Sequence, residues 1–413
     1  MYSTLLIILK ECCLILKRNV KTNPNLLLSA LFLGYVMVYI DKLSVGFAVI
    51  SINKDIPMTD STKGLLLGAF FIGYALLQIP MSIAVNKFGA KKIVLWSIIM
   101  IGVFDFLFGM ADTITMLIAI RLLSGLLAHS GYTSASSKEI TESFSVERRA
   151  FAKGILLSAS GFASILGPIL VSPLIQNFGW RSAYKVLTIV ALVIAVFVAI
   201  AIPNKPNLTN EKAKSTISML DIWKTPLVWF LFISAFCVNS LLYGLTSWLP
   251  TYLDNYRGLS LTQAGMVSSV VGIFSLLGAI GGGYMISRYF QGKDTLVILI
   301  CSILGSFLTF LSYFTSHMPS FTILLGLASL LLTITFVTVM SIPLKTFEGD
   351  RFAPSYATIA MGGIVGGAVS QIAIGLLVQA TNTFLSVFIY FLILGCLTGL
   401  IVLPIKHNKK YLL

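Results

Sequence analysis

Charged residues are scarce in this chain of 413 residues. Asp, Glu, Lys and Arg together make up 11% of it, whereas hydrophobic residues make up 57%. A soluble protein carries about 25% charged residues. Long continuous apolar runs separated by short polar connectors predict a polytopic α-helical membrane protein. They argue against a membrane β-barrel, whose strands alternate apolar and polar residues.

Cysteine and histidine are also few, at five and three residues. No pair of them has the spacing of metal ligands, and no disulfide framework is indicated. We therefore expect no metal and no cofactor. An enzyme is not favoured either, because no nucleophile–base constellation is apparent. The glycine run 281–283 lacks the Lys-Ser/Thr that follows a phosphate-binding loop.

The apolar runs predict twelve membrane spans, each close to the roughly 20 residues that a helix needs to cross a bilayer. Their approximate bounds are 26–50, 63–85, 93–111, 114–137, 152–176, 183–202, 226–253, 262–287, 294–315, 319–342, 356–380 and 384–404. An even number of spans places both termini on the same side of the membrane.

The distribution of Lys and Arg predicts which side that is. Of the 29 basic residues, 22 lie in segments that this topology places on one side, five lie on the other, and Lys42 and Arg121 lie within spans. Cytoplasmic segments carry the excess of basic residues. We therefore expect both termini in the cytoplasm, a location in the cell (inner) membrane, and no role in nucleic-acid binding despite a net charge of +14.

The longest polar connector divides the predicted spans into two sets of six. We expect a cytoplasmic N-terminal segment at 1–23 that lies on the membrane as an amphipathic helix. A six-helix bundle at 24–202, a cytoplasmic linker at 203–224, a second bundle at 225–405 and a tail at 406–413 follow. A weak repeat supports the division, since Gly64, Ser82 and Lys87 recur as Gly265, Gly283 and Arg288 at a constant offset. Parallel repeats of this kind are typical of transporters.

Four charged residues lie within the predicted spans of the first half, namely Asp41, Lys42, Asp105 and Arg121. One charge near the centre of a membrane helix costs about 2.5–3.5 kcal/mol on insertion scales, and such residues are functional by default. Two interpretations are open. The charges line a pathway and contact a substrate or a proton, or they form ion pairs that only hold helices together.

The loop after the second span carries the first family resemblance. Residues 82–92 read SIAVNKFGAKK, which resembles the G-x-x-x-D-R-x-G-R-K signature of the major facilitator superfamily. Ser82 replaces the first Gly, and Asn86 replaces the Asp. The resemblance implies two six-helix bundles that work by alternating access. The lost Asp removes one of the salt bridges expected between helices.

Other stretches resemble one branch, the anion:cation symporter family. They are Gly73–Pro80, Phe178–Tyr184, Tyr243–Leu253 and the Tyr39–Lys42 block. The resemblance implies transport of sugar acids, dicarboxylates or aromatic acids with protons. The chain departs from the branch at Lys42, where relatives usually have Arg. It departs again in span four, where Leu-Ala-His129-Ser replaces the usual Glu.

The resemblance and the buried charges together assign candidate residues for proton coupling. Asp41 is interpreted as a protonatable carboxylate with Arg121 as its partner, because Arg121 begins an Arg-x-x-x-Gly block similar to the span-four motif of proton-coupled relatives. A structural salt bridge between Arg121 and Asp105 is the alternative. His129 is either a proton relay, since imidazole exchanges protons near neutral pH, or a hydrogen-bonded packing residue.

Polar and aromatic residues deep in the spans are the candidates for substrate binding. In the first half they are Tyr39, Lys42, Tyr74, Gln78 and Arg121, and in the second half they are Asn239, Tyr243, Ser370 and Gln371. Asn and Gln also join membrane helices to each other by hydrogen bonds, so Asn239 and Gln371 have a second interpretation as structural residues.

The sequence therefore predicts a monomeric secondary transporter that takes up a small organic anion with protons. Two alternatives within the same fold stay open. One is uptake of a neutral or zwitterionic metabolite, such as an amino acid or a nucleoside, which Lys42 in place of Arg allows. The other is export, which a weak Gly167-Pro168 similarity to the antiporter motif favours.

Overall fold

The computed structural model describes residues 23–203, 219–347 and 351–406. The predicted amphipathic segment 1–23, apart from its last residue, lies outside the described residues. So do most of the linker 203–224 and of the tail 406–413. Within the described residues, eleven helices are long and apolar enough to cross a membrane.

The helices follow the apolar runs of the sequence. In chain order they are α1 (Pro24–Asp55), α2 (Asp60–Phe88), α3 (Ala90–Gly109), α4 (Ile114–Ser124), a π-helical turn (Gly125–His129), α5 (Tyr132–Ser143), α6 (Val146–Ala201), α7 (Met219–Trp223), α8 (Pro226–Arg257), α9 (Leu261–Arg288), α10 (Asp294–Tyr313), α11 (Met318–Thr346), α12 (Phe352–Thr381) and α13 (Leu385–Leu400). The predicted fourth span corresponds to α4, the π turn and α5 together.

Helix α6 accounts for two of the predicted spans. It has 56 residues, so a straight helix of this length would measure about 84 Å, well over twice the hydrocarbon thickness of a bilayer. Gly179 interrupts it with φ 76° and ψ 158°, a conformation that glycine adopts without steric cost. This residue separates the predicted spans 152–176 and 183–202. The prediction of an all-α membrane fold with twelve crossings is confirmed.

Local capping residues set several helix ends. The Thr113 side chain accepts a hydrogen bond from the backbone N–H of Met116 at the start of α4. Ser260 and Gln263 form a capping box at the start of α9, which satisfies two backbone donors that a helix terminus otherwise leaves open. Gly258 ends α8 in the left-handed conformation.

The chain forms two compact units, and two of their boundaries lie inside helices. The first unit comprises the described residues of Met1–Ser44 and Ile72–Glu211, and the second comprises those of Val45–Phe71 and Lys212–Leu413. Helices α1 and α2 thus each contribute one part to each unit. The predicted bundles at 24–202 and 225–405 stay predictions.

Large aromatic side chains fill the core of the first unit. The ring of Phe108 lies 4.5 Å from that of Tyr184 and 5.9 Å from that of Trp180, measured between centroids. The Tyr132 hydroxyl donates a hydrogen bond to the carbonyl of Leu31 over 2.7 Å. These contacts join α3 to α6 and α5 to α1 around the charged residues described below.

Close backbone contacts between α2 and α12 characterise the second unit. A Cβ atom added to Gly64 would lie 2.5 Å from the carbonyl oxygen of Gln371 and 3.2 Å from the Cα atom of Gly375. Only glycine fits at such a distance, which is how small residues let membrane helices pack closely. The backbone N–H of Ser61 donates to Oε1 of Gln379 at the end of the same interface.

Candidate functional site

Asp41 of α1 and Arg121 of α4 form a buried ion pair in the first unit. Nη1 of Arg121 lies 3.2 Å from Oδ1 and 3.3 Å from Oδ2 of Asp41. Asp41 is 2% exposed and Arg121 is 3% exposed. Removing one partner of a buried ion pair leaves the other charge uncompensated, which destabilises a protein by roughly 3–5 kcal/mol. The Asp41 and Arg121 side chains thus neutralise each other's charge inside the membrane.

His129 also contacts Asp41. Its Nε2 atom lies 3.0 Å from Oδ2 of Asp41, and both side chains are almost fully buried. Its Nδ1 atom lies 3.2 Å from the carbonyl oxygen of Ser124. The carboxylate therefore lies between a guanidinium and an imidazole that come from the same membrane span.

The π-helical turn explains how Arg121 and His129 reach the same carboxylate. Eight residues of a regular α-helix advance by about 800°, so His129 would point about 80° away from Arg121. A π turn accommodates one extra residue in the helix. The spacing then acts as about seven residues, or about 700°, which brings His129 within about 20° of the direction of Arg121. The turn spans Gly125–His129 and ends on the histidine.

Asp105 of α3 completes the cluster. It is 1% exposed and interacts electrostatically with both Asp41 and Arg121. Arg121 forms its salt bridge with Asp41 over 3.2 Å, and the alternative salt bridge between Arg121 and Asp105 stays a prediction.

Ser44 and Tyr184 also contact the Asp41 region, and neither residue was predicted as a site residue from the sequence. The Ser44 hydroxyl donates to the carbonyl oxygen of Asp41 over 2.8 Å and lies 2.9 Å from the hydroxyl of Tyr184. Tyr184 is the last residue of the Phe178–Tyr184 stretch that carries part of the family resemblance. Its place in this stretch was the one feature of the sequence that indicated a role for Tyr184.

Lys42 points to a different set of side chains from its neighbour Asp41. Its ammonium lies 5.4 Å from the ring centroid of Tyr39 and 5.9 Å from that of Tyr74. All three side chains are half-buried. Cation–π contacts of this kind hold a positive charge without neutralising it. Gln78, one turn further along α2 from Tyr74, is half-buried as well.

The predicted site residues of the second unit make contacts between or within helices. Asn239 donates to the carbonyl of Ala235, and Ser370 donates to the carbonyl of Ser240 over 2.6 Å. Gln371 is fully buried and donates to the carbonyl of Tyr243 and to the hydroxyl of Ser247. The Tyr243 ring packs 4.9 Å from that of Phe71. Substrate binding by these four residues stays a prediction.

The basic loop of residues 82–92 contacts the C-terminal end of α6, in the same unit. Lys91 is buried and donates to the carbonyl oxygen of Ala199 over 2.9 Å, two residues before α6 ends. A cation near a helix C-terminus interacts favourably with the helix dipole. Lys138 donates to the carbonyl of Val85 at the other side of the same loop.

The sequence is similar to membrane transporters along almost its whole length. The model of the Major Facilitator Superfamily matches residues 31–362. A probable sulfoacetate transporter of Cupriavidus necator is 26% identical, with 93% of each chain covered. A quinolone resistance transporter of Acinetobacter baumannii is 27% identical, with 95% of this chain and 96% of the other covered. A probable galactarate/D-glucarate transporter of Escherichia coli is 24% identical over 87% and 88%.

A solved structure shares the fold. A D-xylose-proton symporter superposes with a TM-score of 0.75 at 14% identity, and the match covers 94% of this chain and 98% of the symporter. At this level of identity the likeness concerns the arrangement of the helices alone.

Proposed function

The chain belongs to the major facilitator superfamily of membrane transporters, and we propose that it takes up a small organic anion together with protons. The observation that carries this proposal is the buried cluster of Asp41, Arg121 and His129 in the membrane-spanning part of the first unit. Ionisable residues at such positions mark substrate or proton pathways. The cluster holds both a protonatable carboxylate and a cation suited to bind an anion.

The relatives support an anionic substrate. Two of them are named for sulfoacetate and for galactarate or D-glucarate, which are all small organic anions. Arg121 and Lys42 supply the positive charges that such a substrate needs. The planar guanidinium of Arg121 suits a carboxylate through two parallel hydrogen bonds, whereas the Lys42 ammonium acts as a point charge.

Exchange of partners at Arg121 couples the anion to the proton. Without a bound proton, the Asp41 carboxylate occupies Nη1 of Arg121. A proton that neutralises the charge of Asp41 weakens this pair and leaves the guanidinium for a substrate carboxylate. Proton and anion therefore strengthen each other's binding, and by thermodynamic linkage the effect is reciprocal.

The orientation in the membrane is part of the proposal. The excess of Lys and Arg in one set of connectors supports cytoplasmic termini. We place the protein in the cell inner membrane, where it acts as a monomer.

Export is the second candidate function. The similarity to a quinolone resistance transporter at 27% identity favours it, because that name denotes resistance. The two functions differ in the direction of net transport under the same proton gradient. An importer accumulates its substrate on the side to which protons flow, and a proton-driven exporter on the opposite side.

A thermal-shift screen with a matched pair of lysine variants tests the proposed substrate class. Purified protein is heated with sugar acids, dicarboxylates, amino acids or nucleosides at acidic and at neutral pH. A ligand at about 100 times its Kd stabilises the folded state by about 2.7 kcal/mol. We expect a shift with carboxylates only, lost in Lys42→Ala and kept in Lys54→Ala, whose lysine is exposed near the end of the same helix.

Two results would count against the organic-anion assignment. One is a shift with a neutral compound and with no acid. The other is an unchanged carboxylate shift in Lys42→Ala. Either leaves the fold and the family intact.

A further inference from the structure

The Ser124 carbonyl fixes which nitrogen of His129 carries hydrogen. Nδ1 of His129 lies 3.2 Å from that carbonyl oxygen. A carbonyl oxygen only accepts hydrogen bonds, so Nδ1 is the donor. In a neutral imidazole one nitrogen is protonated and the other carries a lone pair. The neutral ring therefore presents the lone pair of Nε2.

The lone pair of Nε2 would face a carboxylate oxygen. Nε2 lies 3.0 Å from Oδ2 of Asp41, the distance of a hydrogen bond. Two acceptors at this distance repel each other, and the contact becomes favourable only when a proton lies between them. We propose that the coupling proton binds between Nε2 of His129 and Oδ2 of Asp41, an inference that rests on the proposed proton-coupled transport.

The charges around this pair explain what the proton changes. Arg121 faces Asp41 from α4, Asp105 faces it from α3, and Tyr184 of α6 reaches its backbone through Ser44. Without the proton, Asp41 has Arg121 as its one cationic partner in the cluster. With the proton, the carboxylate either shares its charge with an imidazolium or is neutral. In both cases its hold on Arg121 weakens, and the guanidinium is released to the anion.

The binding step involves only a proton. On the uptake side an O–H bond of hydronium breaks, and an N–H bond to Nε2 or an O–H bond to Oδ2 forms. On the release side the same bond breaks and the proton returns to water. The Nδ1–H bond persists throughout, because Ser124 holds it.

Transport assays on His129→Gln test the inference directly. Glutamine keeps a hydrogen-bond donor for Asp41 but has no site that binds a proton near neutral pH. Wild type, His129→Gln and a control, His317→Gln, are reconstituted in vesicles. His317 is exposed and contacts Ser320.

We expect exchange of labelled organic acid by His129→Gln, with the same pH on both sides, to be independent of that pH, whereas exchange by the wild type rises as the pH falls. Under a pH gradient we expect uptake by His129→Gln to fall to the level seen without a gradient. The control should behave as the wild type in both assays. Gradient-driven accumulation by His129→Gln at the wild-type level would overturn the inference.

Nitrogen-15 NMR of labelled histidine in the wild-type protein gives a second readout that needs neither a variant of His129 nor a substrate. The chain has three histidines, so His317→Gln and His407→Gln identify the His129 signals by elimination. We expect a protonated Nδ1 at every pH, and an Nε2 signal that changes from bare to protonated or strongly hydrogen-bonded as the pH falls. A bare Nδ1, or an Nε2 signal that never changes, would overturn the inference.

The two assays separate the inference from the function on which it rests. If the wild type exchanges no organic acid, the proposed substrate class fails, and the NMR titration still decides where the proton binds. If the His129→Gln protein does not fold, the wild-type spectrum decides alone.

Discussion

At the scale of single residues, the carboxylate of Asp41 contacts Arg121 and His129 and interacts electrostatically with Asp105. Arg121 and His129 come from span four, and Asp105 comes from α3. A carboxylate this deeply buried is stable only with charged or hydrogen-bonding partners. Every change of its proton must therefore change one of these contacts, which makes it a suitable point of coupling.

The Asp41–Arg121 pair leads to a stability prediction. Asp41→Asn leaves the Arg121 guanidinium without its buried counter-charge, and breaking a buried pair in this way costs about 3–5 kcal/mol. Thermal unfolding of the purified protein measures the loss. Asp112→Asn is the matched control, because Asp112 pairs with Arg181 at 3.4 Å while 83% of its side chain is exposed. The loss of stability in Asp112→Asn should stay below about 1 kcal/mol. Equal losses in the two variants would contradict the structural role given to Asp41.

Part of this site could be predicted from sequence. The requirement that buried charges be paired singles out Asp41, Asp105 and Arg121 once the spans are known. The contact of His129 could not be predicted, because a spacing of eight residues places it on another face of a regular helix. The π turn that corrects the spacing has no signature in the residues Gly125–His129.

At the scale of helices, close approach between α2 and span four positions this turn. A Cβ atom on Gly73 of α2 would collide with the carbonyl oxygen of Leu122 and lie 2.9 Å from the backbone nitrogen of Leu126. Leu126 lies within the π turn. The backbone of α2 thus supports the segment that carries both Arg121 and His129.

Gly73→Ala should therefore destabilise the protein by about 1–3 kcal/mol, the usual cost of overpacking. Gly154→Ala is the control in the same unit, since a Cβ atom there would meet nothing within 4 Å. In a helix interior, alanine is favoured over glycine by about 0.5–1 kcal/mol, so this control should be neutral or stabilising. Thermal unfolding of both variants measures the difference. A Gly73→Ala protein as stable as the control would show that the close approach is not needed.

At the scale of the whole molecule, the apolar runs predicted the membrane spans well, because about 20 apolar residues have few other uses than crossing a bilayer. The division of α1 and α2 between two compact units could not be predicted. It depends on contacts such as that of Gly64 with Gln371, which connect residues about 300 positions apart in the sequence. The hydrogen bonds of Gln371 to α8 could not be predicted either, because they also join residues that lie far apart in the sequence. The sequence predicted substrate binding for Gln371.

Transport by the whole molecule depends on the single Asp41–Arg121–His129 cluster if the proposed coupling holds. In the proposed scheme, proton and anion bind to one cluster in one unit, so a conformational change that opens this cluster to the other side of the membrane carries both together. Neither ligand alone neutralises the competing charges of Asp41 and Arg121. The proposed scheme therefore requires both ligands for net transport.

Substrate-dependent proton entry is the measurement that tests this most directly. Wild-type protein is reconstituted in vesicles that contain a pH-sensitive dye, and a carboxylate identified by the thermal-shift screen is added outside. We expect the vesicle interior to become more acidic as the anion enters. In vesicles without protein, we expect neither acidification nor entry of the anion. Entry of the anion with no change in internal pH would contradict proton-coupled uptake by the Asp41–Arg121–His129 cluster.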